Sequence, residues 1–221
     1  VYADFAAASD FISFGNNGEG VASYTTESFT LSFWVKPGAT QVDNAKILGT
    51  MRGDNNQGHG WTFSTDGSSN TWYHFVSYQG SGYGNGFRSS LPVELTPDVW
   101  QHVAIVKHLN TVAFYINGQL AVSDPGGSNS GVAVDLGNPD NTYPSGSNEQ
   151  GAFNIGSVAE NVWNNGWVGG FDDFRAYGSA LTASQIETIY NADHTAPKVY
   201  SSLIGFQAPI TTYEDPASNG G

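Results

Sequence analysis

Seven glutamates, at positions 19, 27, 94, 149, 160, 187 and 214, are scattered through a chain of 221 residues. Retaining hydrolysis of a glycosidic bond needs two carboxyl groups about 5.5 Å apart. A Glu-x-Asp-x-x-Glu run on one strand brings carboxylates that close, and none of the seven stands in that spacing. Asp172 and Asp173 are adjacent, so a regular strand sends their side chains to opposite faces. That pair reads as structural. The histidines at 59, 74, 102, 108 and 194 show no short metal-ligand spacing, and nothing marks a Ser-His-Asp triad. His102, in the run Trp-Gln-His-Val-Ala-Ile-Val-Lys, reads as a core histidine. The chain is expected to bind a partner rather than to catalyse a reaction.

Oxygen ligands are better represented than catalytic groups. Calcium takes six to eight oxygens, from Asp and Asn side chains and backbone carbonyls of loops. Two segments offer that chemistry: Arg52-Gly53-Asp54-Asn55-Asn56-Gln57-Gly58 and Asp135-Leu136-Gly137-Asn138-Pro139-Asp140-Asn141. Asp54, Asp135 and Asp140 are the candidate Ca²⁺ ligands. Neither segment is an EF-hand, and Asp and Asn are also ordinary turn residues, which is the competing reading.

Aromatic side chains sort into two groups. Trp34, Trp61, Trp72 and Trp100 lie in strand-like contexts and read as core or half-buried packing. Trp163 lies in Glu160-Asn161-Val162-Trp163-Asn164-Asn165-Gly166, Tyr83 in a Gly- and Ser-rich stretch, and Tyr143 in a long connection. A loop aromatic flanked by amides suits a sugar, because the ring covers the apolar C–H face while polar groups reach the hydroxyls. Packing beneath a loop is the rival reading. Asp54, Asn56, His59, Tyr83, Tyr143, Trp163 and Asn164 are the candidate ligand-binding residues.

Composition narrows the partner. Seven Lys and Arg against twenty Asp and Glu leave a net charge of −13. Such a chain repels phosphate backbones and anionic headgroups, which argues against nucleic acid. No run approaches the ~20 apolar residues of a membrane-spanning helix. With no cysteine, neither disulfides nor thiolate chemistry is available. The start at Val1 and the ending Asn219-Gly220-Gly221 read as cuts in a longer protein, with the chain a monomeric module within it.

The elements that must position these residues are mostly strands. Phe29, Leu31, Phe33 and Val35 alternate with Thr30, Ser32, Trp34 and Lys36, the period of a strand that Pro37 ends. Val103, Ile105 and Val106 form a second apolar run, and Val112, Phe114 and Ile116 a third. Asn117-Gly118 suits a type I′ hairpin turn, because both residues tolerate positive φ. A helix is expected near the C-terminal end, with Thr182 and Gln185 as a capping box and Leu181, Ile186, Ile189 and Tyr190 as its apolar stripe, packed on an edge of the strands. Residues 123–151 read as a long connection with one strand near Val132-Ala133-Val134.

Four pieces in order resemble the laminin-G-like, concanavalin-A-like jelly roll found in bacterial surface proteins. They are Ala3-Asp4-Phe5 with Asp10-Phe11-Ile12-Ser13-Phe14, the run 29–37, the stretch 100–121, and the stretch 153–190 from Phe-Asn-Ile-Gly-Ser to Glu-Thr-Ile-Tyr. The resemblance implies an all-β, two-sheet antiparallel β-sandwich of six or seven strands per sheet with one short C-terminal helix. It implies no intrinsic enzymatic activity, a common calcium site at the loop rim, and use as a glycan- or protein-binding module. The sandwich is expected over residues 1–194, with 195–221 an edge strand or a linker to a following domain. The leading expectation is a calcium-dependent carbohydrate- or surface-binding module of a secreted bacterial adhesin or extracellular carbohydrate-active protein. Its partner is then a glycan or cell-surface ligand, with no nucleic acid and no membrane insertion. The alternatives are a structural or protein-binding domain with a stabilising calcium, and a polysaccharide hydrolase or lyase.

Overall fold

The computed structural model describes residues 2–14, 25–26, 28–49, 60–66, 71–78, 92–108, 111–124, 134–135, 153–157 and 166–195. The strands run in chain order as β1 (Ala3–Phe5), β2 (Ile12–Ser13), β3 (Thr25–Thr26), β4 (Ser28–Pro37), β5 (Lys46–Gly49), β6 (Gly60–Thr65) and β7 (Trp72–Tyr78). They continue as β8 (Val93–Glu94), β9 (Gln101–His108), β10 (Thr111–Ile116), β11 (Gln119–Asp124), β12 (Val134–Asp135), β13 (Asn154–Ile155) and β14 (Gly169–Tyr177), followed by helix α1 (Ala183–Thr195). Two six-stranded sheets form, ordered β1-β14-β4-β9-β10-β11 and β2-β13-β5-β6-β7-β8, and β12 pairs with β3 as a small third ladder. Every ladder is antiparallel. This is the expected two-sheet sandwich.

The alternation in β4 explains how the layers meet. Phe29, Leu31, Phe33 and Val35 are all buried in the core between the sheets. They join Val103, Ile105, Val112 and Phe114 from one sheet, and Trp61, Phe63, Tyr73 and Phe75 from the other. Aromatic rings cross the gap: Phe33 lies 5.9 Å from Phe63, and Phe63 lies 6.1 Å from Phe114. Asn117 (φ 51°) and Gly118 (φ 79°) make the hairpin turn between β10 and β11, as their types require.

The outer face of the first sheet is covered as well. Thr30, Ser32, Trp34 and His102 are buried on that face, because α1 lies across it rather than at the sandwich edge. Ile186 packs with Ala104 and Val106, and the Tyr190 ring stacks on Trp34 at 5.8 Å. The capping box forms as expected: Thr182 N donates to Gln185 Oε1 at 2.9 Å, and Gln185 N donates to Thr182 Oγ1 at 3.3 Å. His102 is a core histidine with Ser32 Oγ 2.9 Å from its Nε2. Among the described residues, no helix is long and apolar enough to cross a membrane.

Asp172 and Asp173 sit at an irregularity in the β14–β4 ladder. Asp173 takes φ 51° and accepts two bonds from Arg175, at 3.2 and 2.7 Å. Asp172 Oδ1 accepts the Asp173 N–H at 2.9 Å. Both carboxylates are thereby engaged in holding the bulge, which is the structural role expected of them.

Candidate functional site

Among the described residues no helix lies over the outer face of the second sheet, and strand parity decides which side chains point there. Tyr73 and Phe75 of β7 are in the core, so Trp72 and His74 project outward. On β6 the core takes Trp61 and Phe63, which turns Thr62 and Ser64 outward. Cross-strand pairing assembles a row of Lys46, Ser64 and His74 from three neighbouring strands. All three are buried.

The next row is open. Trp72 pairs with Glu94 of β8, and on its other side Asp66 N donates to Trp72 O at 2.7 Å, continuing the ladder past Thr65. Asp66, Trp72 and Glu94 therefore stand side by side. Two ladder spacings put the outer Cα atoms about 10 Å apart, with the indole between them. Trp72 is 42% exposed, the Asp66 side chain is 44% exposed, and Glu94 is exposed. The buried His74 ring backs this row, its Nε2 3.1 Å from Asp66 Oδ2. An exposed indole between two carboxylates presents a flat apolar surface edged by hydrogen-bond acceptors.

The residue beneath is as fixed as Trp72 is open. Tyr73 is fully buried, and burial pushes its phenol up to about 12, opposed by Trp167. Its ring stacks against Phe63 at 5.6 Å. The strand presenting the indole is thus anchored from below.

Of the loop candidates, Asp54, Asn56, His59, Tyr83, Asp140, Tyr143, Trp163 and Asn164 lie outside the described residues. Asp135 is described in its backbone alone, paired with Thr25 in the β12–β3 ladder. The strand ends that carry these loops are defined. Residues 50–59 leave from Gly49 and return at Gly60, and residues 79–91 leave after Tyr78, which pairs with Gly60. Gly166 bridges to Lys46, at the end of β5 away from Gly49. That is the end where Trp72 stands, about 17 Å along β6 from Gly60. Among the described residues no group of three or more His, Asp or Glu could hold a metal.

Trp72 was expected to be core or half-buried, and at 42% exposed it is the half-buried case, with its open part on the outer face. The signal was present in Trp72-Tyr73-His74-Phe75: once Tyr73 and Phe75 are assigned to the core, parity turns Trp72 out. The other strand tryptophans behave as expected, Trp61 buried in the core and Trp34 buried beneath α1.

A model of the family described as the concanavalin A-like lectin/glucanases superfamily matches residues 8–187. Among solved structures, the chain is similar to the binding domain of Paraclostridial Mosquitocidal Protein 1. The two share 18% identity with a TM-score of 0.57, over 88% of this chain and 46% of that one. It is similar to the binding domain of botulinum neurotoxin serotype D, with 17% identity and a TM-score of 0.58 over 86% of this chain and 42% of the other. It is also similar to domain 4 of the extracellular GH43 arabinanase AbnA from Geobacillus stearothermophilus, solved with arabinotriose, at 20% identity and a TM-score of 0.54. That match covers 86% of this chain and 80% of the other. The chain spans less than half the length of the two toxin binding domains. At these identities the likeness is one of fold. A search of curated protein sequences found no match.

Proposed function

The chain belongs to the concanavalin A-like lectin/glucanase superfamily, and on that premise we propose that it is a non-catalytic carbohydrate-binding module that works outside the cell. The observation that carries this reading is the open row Asp66–Trp72–Glu94. The indole stacks on the C–H face of a sugar, and the carboxylates accept bonds from its hydroxyls. The two acids flank an aromatic ring two ladder spacings apart, an arrangement suited to gripping a ring and not to the close pair of a retaining glycosidase. A net charge of −13 favours neutral polyols over anionic partners.

Magnitude sets the style of binding. Trp72 exposes about 100 Å² at 42% of its surface, and covering that area contributes about 2.5 kcal/mol. Even a millimolar complex needs about 4 kcal/mol. The remainder is assigned to hydrogen bonds, to the candidate residues Trp163 and Asn164, and to avidity in a longer secreted chain such as an adhesin or a carbohydrate-active protein. Calcium is part of the proposal through the oxygen-rich segments 52–58 and 135–141. Asp54, Asp135 and Asp140 would hold it, and it would fix the loops that carry Asn56, His59, Tyr83 and Tyr143.

A glycan array probed in calcium and again in EDTA tests this directly. The expected result is binding to neutral glycans, weakened by EDTA and weakened in Trp72→Ala. Equal binding in both buffers removes the calcium claim, and no binding in either removes the lectin claim.

A further inference from the structure

The outer face of the first sheet is covered by α1 only in part. Past Trp34 and His102 the face continues into a row that the helix leaves uncovered. Asp4 pairs with Gly170, and Gly170 with Lys36. Continuing the register beyond Val35 and Gln101 brings Trp100 beside Lys36. On this face Tyr2 and Trp100 meet edge to face, with ring centroids 5.1 Å apart. Tyr2 is 44% exposed.

The arrangement is built rather than incidental. Gly170 forms the floor: a Cβ there would stand 2.8 Å from Trp100 Cζ2 and 3.4 Å from Tyr2 Cδ2. A side chain at 170 would displace the rings. The segment carrying Val99 and Trp100 is clamped by Gln101, whose Nε2 donates to Thr96 O at 2.9 Å and to Val99 O at 3.3 Å, while its Oε1 accepts from Thr96 N at 3.1 Å. Asp98 N donates to Pro37 O at 2.7 Å, tying the same segment to the end of β4. The aromatic pair therefore loses little freedom on binding, which is what makes a rigid platform effective.

We propose that Tyr2 and Trp100, seated on Gly170 and bordered by Asp4 and Lys36, form a second carbohydrate-stacking site. It lies on the sheet opposite the one that carries Trp72. Size excludes a stable protein partner. Two aromatic side chains expose at most a few hundred Å², whereas each side of a stable protein interface buries about 800 Å². The patch has the area of one or two sugar rings, and a carboxylate and an ammonium at its border serve hydroxyls. Two stacking sites on opposite faces let one module bridge two polysaccharide strands. This inference rests on the carbohydrate reading above.

Affinity electrophoresis through gels holding arabinan, xylan, galactomannan or mixed-linkage β-glucan tests it, with wild type, Tyr2→Ala, Trp100→Ala, Gly170→Val and Trp72→Ala run side by side. The expected result is that Trp100→Ala and Gly170→Val each raise the apparent dissociation constant about two- to tenfold with Trp72 intact. Tyr2→Ala, a change at an exposed side chain, is expected to do the same with an unaltered melting curve. Combining Trp72→Ala with Tyr2→Ala is expected to abolish retardation. If wild type and the Tyr2, Trp100 and Gly170 variants migrate identically while Trp72→Ala alone loses retardation, the second site is refuted and the first stands. If no gel retards wild type, the carbohydrate reading falls and this site with it.

Discussion

Trp72 and Tyr73 are neighbours with opposite fates, and strand parity alone separates them. Trp72 faces solvent between two acids, whereas Tyr73 is sealed against Phe63. An unfolded tyrosine ionises near 10.0, and the folded one near about 12. Below pH 10 both states keep the proton, so Tyr73 adds no pH dependence. Between pH 10 and 12 the unfolded chain ionises first, and stability is lost as pH rises, by about 2 to 3 kcal/mol in all. Tyr73→Phe removes that loss. Urea unfolding at pH 9 and pH 12 is expected to show the variant gaining on wild type by that amount. Parallel curves for the two proteins would show that the buried phenol does not govern alkaline stability.

At the scale of elements, α1 is part of the packing and not an appendage. Ile186 is fully buried beside Ala104 and Val106, so Ile186→Ala is expected to cost about 2 to 5 kcal/mol in urea unfolding. Thr182→Ala removes only a cap and is expected to cost about 1 kcal/mol. A helix lying loosely at an edge would give a negligible effect for Ile186→Ala. The capping box was legible because its signal is local: Thr182 and Gln185 are three residues apart and answer each other. The site of docking was not, because Thr30 and Ser32 look solvent-facing when β4 is read alone. Only the return of a distant helix buries them. The same limit explains Trp72, since its residue type says nothing about whether another layer covers its face.

At the scale of the whole molecule, an inert sandwich core leaves recognition to whatever its two outer faces expose. The alternation in β4, β9 and β10 made that core legible, and Asn117-Gly118 its main hairpin. The site was legible only in kind. The aromatics and acids expected at loops lie almost all outside the described residues, and to them the described residues add an exposed aromatic and two acids on a strand face. The six tryptophans give a direct readout of the central claim. In a ¹H–¹⁵N spectrum titrated with the glycan that binds best on the array, the Trp72 indole resonance is predicted to move with saturation, while those of the buried Trp61 and Trp167 stay fixed. A titration in which Trp72 stays fixed while Trp163 alone responds would contradict the account, returning recognition to the loops and leaving the open row without a role.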